Sequence, residues 1–115
     1  MNPRKQKSGV DVAPVGVFQP VDQVSYQTGS IVSREIISRK AGTATIFAFD
    51  QGQKLSEHTA PYDAMVVGLD GEAEIFIGGE PFRVGAGDAI IMPAGIPHSL
   101  TAASRFKMFL IMIKG

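Results

Sequence analysis

The stretch "GDAIIMPAGIPH" (residues 87–98) opens on a glycine, runs through four apolar-leaning residues and breaks at a proline. "GAGD" (85–88) reads as a turn and "AIIM" (89–92) as a short strand. "PAGIP" (93–97) ends that strand: Pro93 presets φ for a tight turn, and Gly95 tolerates the far end of it. Strand, turn and then a histidine, His98, within a dozen residues is β punctuation, and no helical period competes with it.

Working outward, the same rhythm recurs. In "TATIFAF" (43–49), Thr43, Thr45, Phe47 and Phe49 share one parity and Ala44, Ile46 and Ala48 the other, which predicts a strand. "DQGQ" (50–53) is a turn, and "AMVVGL" and "EAEIFI" are strand-like runs divided by "DG" at 70–71. "GGE" (78–80) is a hairpin turn leading into a short strand "PFRV". "FKMFLIMI" (106–113) closes the pattern as a strand with apolar residues on both faces. "IVSREIISRK" (31–40) stays open between helix and strand, because its apolar residues fall in pairs. Short strands at this spacing predict an all-β sandwich or barrel. Residues 1–15, with Pro3, Gly9 and Pro14 among polar residues, are expected to form an N-terminal arm, and 16–115 a single domain.

Composition narrows the function. Apolar residues make up 44% and charged residues 19% of the 115, as in an ordinary globular domain. Eleven basic and eleven acidic side chains cancel, so the excess positive charge that leads nucleic-acid binding is missing. The only basic cluster is Arg4, Lys5 and Lys7 in the arm. Zero cysteines remove disulfides, thiolate chemistry and zinc–sulfur sites, and fit a cytoplasmic protein. No apolar run approaches the roughly 18 residues of a membrane span. Neither nucleic acid nor membrane is an expected partner.

The two histidines carry the rest. Gly52 is followed by five residues and His58, and Gly71 stands thirteen residues beyond that. Gly87 is followed by five residues and Pro93, then one and Gly95, then two and His98. These spacings, in "GQKLSEHTAPYDAMVVGLDG" (52–71) and "GDAIIMPAGIPH", resemble the paired motifs of the cupin family, the second at every position and the first at its ends. The resemblance implies a cupin double-stranded β-helix, a jelly-roll barrel of the RmlC-like kind. It also implies a metal set in which His58 and His98 match two ligands. Ala60 stands where a further histidine would be, Ala64 where a glutamate would be, and Ala102 where an asparagine is often found. The first motif is thus a degenerate metal site.

Two imidazoles hold a divalent ion weakly, since catalytic zinc usually takes three protein ligands and non-haem iron two histidines and a carboxylate. In an extended strand His58, Ala60, Tyr62 and Ala64 share one face, whereas Glu57 and Asp63 point to the other. Either carboxylate would complete a shell only if a bulge at "TAP" (59–61) changed the phase. The plain alternative is two satisfied histidines with no ligand at all. Met65, Met92, Met108 and Met112 read as core filler.

Alanine at 60 and 64 leaves either space refilled by apolar neighbours or a pocket. The expected function is therefore a small-molecule-binding barrel: a mostly apolar pocket with His58, His98 and Tyr62 meeting a small organic ligand such as a carboxylate or carbonyl compound. The first alternative is a metal-dependent oxygenase or decarboxylase type, with Fe, Mn, Ni or Zn on His58 and His98 and Glu57 or Asp63 as third ligand. The second is a non-catalytic ligand sensor. Apolar residues Val15, Val17, Phe18, Val21, Val24, Ile31 and Val32 lie outside the motifs, and the resemblance implies a homodimer joined through sheets and N-terminal strands.

Overall fold

The computed structural model describes residues 15–114, so all of the expected arm but Val15 lies outside the described residues. Nine strands follow a 3-10 turn at Pro20–Asp22: β1 (Ile31–Arg39), β2 (Gly42–Phe49), β3 (Lys54–His58), β4 (Asp63–Asp70), β5 (Glu72–Ile77), β6 (Glu80–Gly85), β7 (Ala89–Met92), β8 (His98–Ala102) and β9 (Phe106–Ile113). They form two antiparallel sheets, ordered β1-β2-β9-β4-β7 and β3-β8-β5-β6. Apart from the β1–β2 and β5–β6 hairpins, each strand crosses to the other sheet from the one before it, which is the jelly-roll arrangement expected from the sequence.

The core lies between the sheets. The five-stranded sheet contributes Phe49, Ala64, Val66, Met92, Phe106 and Met108, and the four-stranded sheet Ala73, Ile75, Val84, Leu100 and Ala102. Period-two alternation places these side chains inward and their neighbours outward. The outward neighbours on β2 are buried too, because the segment before β1 folds back over them: Val24 packs with Ile36, Ile46 and Ala48. Tyr26 holds that segment in place, donating its hydroxyl to Asp70 at 2.5 Å under the cations of Arg105 and Lys107.

The open reading of 31–40 resolves as strand, and the paired apolar residues have a cause. Ile31 packs into the inner core and Val32 into the outer cluster. A β-bulge between Glu35 and Ile37 then puts Ile36 and Ile37 on the same outer face. "PFRV" proves to be the middle of a longer strand, β6.

The motif glycines are turn makers. Gly52, Gly71, Gly87 and Gly95 all have positive φ, between 73° and 89°. Gly87 donates to the Gly68 carbonyl, and Gly95 to that of Ala60. This second bond, with Ala94 N–H donating to Asp63 Oδ1, straps the Pro93–Gly95 turn to the connection between β3 and β4. That connection forms one wall of the site.

Candidate functional site

His58 ends β3 and His98 begins β8, and the two residues pair across the four-stranded sheet. Between Leu55 and His58 the ladder shifts, three steps on β3 matching two on β8. A regular strand would send Leu55 and His58 to opposite faces, and the bulged residues Ser56 and Glu57 bring both inward. A bulge was conceivable from sequence at "TAP", but it lies upstream, and its effect is to aim His58 rather than a carboxylate.

The imidazoles meet edge to face, with ring centroids 4.4 Å apart and planes at 72°. Their Nε2 atoms face each other at 3.1 Å. Each Nδ1 lies against the carbonyl two residues earlier, His58 at 2.8 Å from Ser56 and His98 at 3.2 Å from Ile96. A carbonyl only accepts, so each ring, when neutral, carries its hydrogen on Nδ1 and leaves Nε2 as a lone pair. Two lone pairs at this distance repel unless something electron-poor joins them: a proton, a hydrogen-bond donor or a cation. The pair resists charging twice. Burial lowers the His98 pKa below its ordinary value, the Ile96 carbonyl opposes that, and the charge of His58 adds to it.

Behind the pair lies a cavity of about 70 Å³ between the sheets. Leu55, His58, His98, Ser99 and Leu100 line it from the four-stranded sheet, and Ala64, Val66, Met92, Met108, Leu110 and Met112 from the other. Ala60 and Tyr62, from the strapped connection, complete the wall. His58, Ala60, Tyr62 and Ala64 thus share one surface as their parity predicts, although β3 ends at His58 and β4 begins only at Asp63. Drug-sized ligands take pockets of about 300–1,000 Å³. This cavity is several times smaller, and holds an ion or a group of a few heavy atoms.

Glu57 and Asp63 are not brought to the site. Neither lines the cavity, and Asp63 is occupied as the acceptor for Ala94 N–H. Among the described residues no third His, Cys, Asp or Glu joins the pair in a group fit for a metal. Among the described residues the donor set at the cavity is therefore two imidazoles without a carboxylate beside them, one protein ligand short of the three that a divalent catalytic centre usually takes. Sequence reading missed the other half of the wall. Met92 and Met108 are core residues as read, and with Met112 they also face the cavity, whereas Met65 lies on the outer face of the sheet. The parity of Phe106, Met108, Leu110 and Met112 on one strand was the signal that could have placed Met108 and Met112 at the cavity.

Residues 45–114 match the family model described as Cupin domain. The chain belongs to the cupin family. Among solved structures it is similar to a conserved protein of unknown function from Streptococcus pyogenes, at 37% identity over 95% of this chain and 96% of that one, with a TM-score of 0.87. It is also similar to a Cupin 2 conserved barrel domain protein from Leptotrichia buccalis, at 41% identity over 82% of this chain and 46% of that one, with a TM-score of 0.78. A cupin superfamily protein from Desulfitobacterium hafniense shares the fold at 21% identity over 94% of this chain and all of that one, with a TM-score of 0.85. No curated protein matches the chain. No helix among the described residues is long and apolar enough to cross a membrane.

Proposed function

We propose that this cupin is a ligand-binding protein whose site is the His58–His98 cavity, and that its ligand is small and offers an electron-poor head to the paired Nε2 atoms. The observation that carries this reading is the 3.1 Å approach of two imidazole nitrogens whose other ring nitrogens are both committed to carbonyls. A carboxylate or carbonyl head is disfavoured in the neutral pair, because it too is an acceptor. A donor or a cation satisfies both lone pairs at once.

Binding is favoured over turnover. Acid–base chemistry needs a further polar group converging on the reacting atoms. Among the described residues, neither the Tyr62 nor the Ser99 hydroxyl bonds to the pair, and the rest of the lining is apolar. The cysteine-free composition suits a cytoplasmic setting.

The test is imidazole nitrogen NMR of the metal-free protein, beside thermal-shift screening with small amines, amides and metal ions. Both rings are expected as Nδ1–H tautomers, and stabilising ligands are expected to move Nε2 and to lose their effect in His58→Ala and His98→Ala. Stabilisation that survives both substitutions would remove the pair from the site.

We further propose that two copies associate through the outer face of the five-stranded sheet. Ile37, Ala44, Ile111, Met65 and Ile91 lie in register across it, with Ile113 beside them. Ile37, Ile91 and Ile113 are 51%, 61% and 60% exposed in the single chain, an apolar surface that soluble monomers seldom carry. Of the N-terminal apolar residues, Val24, Ile31 and Val32 are used within the chain, while Val15, Val17 and Phe18 stay exposed.

A further inference from the structure

We infer that the cavity is a site for a soft monovalent metal ion, with Cu(I) the physiological example, held by His58 and His98 together with the thioethers of Met92 and Met112. The inference rests on the ligand-site reading above and names the ligand.

The position of the missing carboxylate is the starting point. Ala64 pairs with Met92 on β7 and with Met112 on β9, so the alanine methyl lies between two methionines on the inward face. Directly opposed side chains start about 4.5–5.5 Å apart at Cβ, within easy reach of an unbranched methionine. Both methionines line the cavity that the imidazoles close from the opposite sheet. Facing sheets stand about 10 Å apart, a gap that an inward histidine and an inward methionine span between them. Where a divalent cupin site would offer a carboxylate, this chain offers sulfur.

The exchange alters which ion the site suits. Carboxylate, carbonyl and water oxygens suit hard ions such as Mn(II), whereas thioether sulfur selects Cu(I). Imidazole serves copper as well as zinc. An ion with metal–nitrogen bonds of about 2.0–2.1 Å holds cis nitrogens about 2.9–3.4 Å apart. The Nε2 separation of 3.1 Å falls in that range. The Nδ1–H bonds to Ser56 and Ile96 carbonyls are the outer-shell support that orients ligating imidazoles. The cavity of about 70 Å³ has room for an ion with the methionine side chains closing on it. A reducing compartment would keep copper monovalent and leave the methionines unoxidised.

The experiment is anaerobic titration of the metal-free full chain with Cu(I) supplied as its bicinchoninate complex, with Zn(II) in parallel. One Cu(I) per chain should leave the chelator, and its X-ray absorption spectrum should show both nitrogen and sulfur neighbours. Met92→Leu/Met112→Leu, which conserves volume, should weaken Cu(I) at least tenfold and abolish the sulfur signal without changing the response to Zn(II). Copper that stays with the chelator overturns the inference, as does bound copper without sulfur neighbours. If the double variant fails to fold, the wild-type absorption spectrum decides alone. Loss of the copper result while small donors still bind in a His58-dependent way removes only the metal; indifference of every ligand to His58→Ala removes the site.

Discussion

At the scale of single residues, the site is governed by where hydrogens sit. His58 and His98 each spend Nδ1–H on a backbone carbonyl, and everything proposed for the cavity follows from the lone pairs left over. The same chemistry sets a pH dependence. Burial lowers the folded-state pKa of His98 below the ordinary 6.5, so unfolding takes up a proton that the native residue resists. Stability from this group is complete above about pH 6.5 and is lost as pH falls from there through the lowered value. Urea midpoints of the metal-free protein should therefore drop between pH 7.5 and 5.5, and His98→Gln should flatten that slope. A second group acts lower. Asp50 accepts from Gly29 N–H and from Arg105, which together hold its carboxyl below its usual 3.8, so its contribution disappears only in stronger acid.

At the scale of elements, close approaches between backbones make specific substitutions costly. A Cβ on Gly68 would stand 2.0 Å from the Gly85 carbonyl oxygen, because the 85–88 turn docks on β4 there. Gly68→Ala should destabilise by about 3 kcal/mol, the upper end of overpacking costs, in equilibrium denaturation. The N-terminal segment offers a graded counterpart. Tyr26→Phe removes the hydroxyl bond to Asp70 and should cost about 1 kcal/mol. Tyr26→Ala also uncovers the cluster around Ile46 and Phe109 and should cost about 2–3 kcal/mol. Most of this β pattern was legible in the chain, because period-two alternation and glycine turns are local signals. The parity that joined His58, Ala60, Tyr62 and Ala64 held through a break in the strand. What stayed hidden depends on register between distant strands. Nothing local says that Met92 and Met112 flank Ala64, that Asp63 caps the Pro93–Gly95 turn, or that the bulge falls at 56–57.

At the scale of the whole molecule, the two faces of the five-stranded sheet have different fates. One lines the cavity; the other is half covered by the chain's own N-terminal segment and half apolar and bare. Sedimentation at micromolar concentration should show a dimer, and Ile111→Lys, at the centre of the bare half, should yield a folded monomer. A monomeric wild-type protein would leave that surface without the proposed partner.

The order of strands also bears on how the domain is made. β9 is last in sequence but central in its sheet, between β2 and β4. On the ribosome, β2 and β4 emerge long before the strand that joins them, and their inward and outward apolar faces must wait together. The nascent domain therefore passes through a stage in which most of its strands exist and its larger sheet does not. Chaperone demand should peak then, and shorten if β9 is moved ahead of β1 by circular permutation.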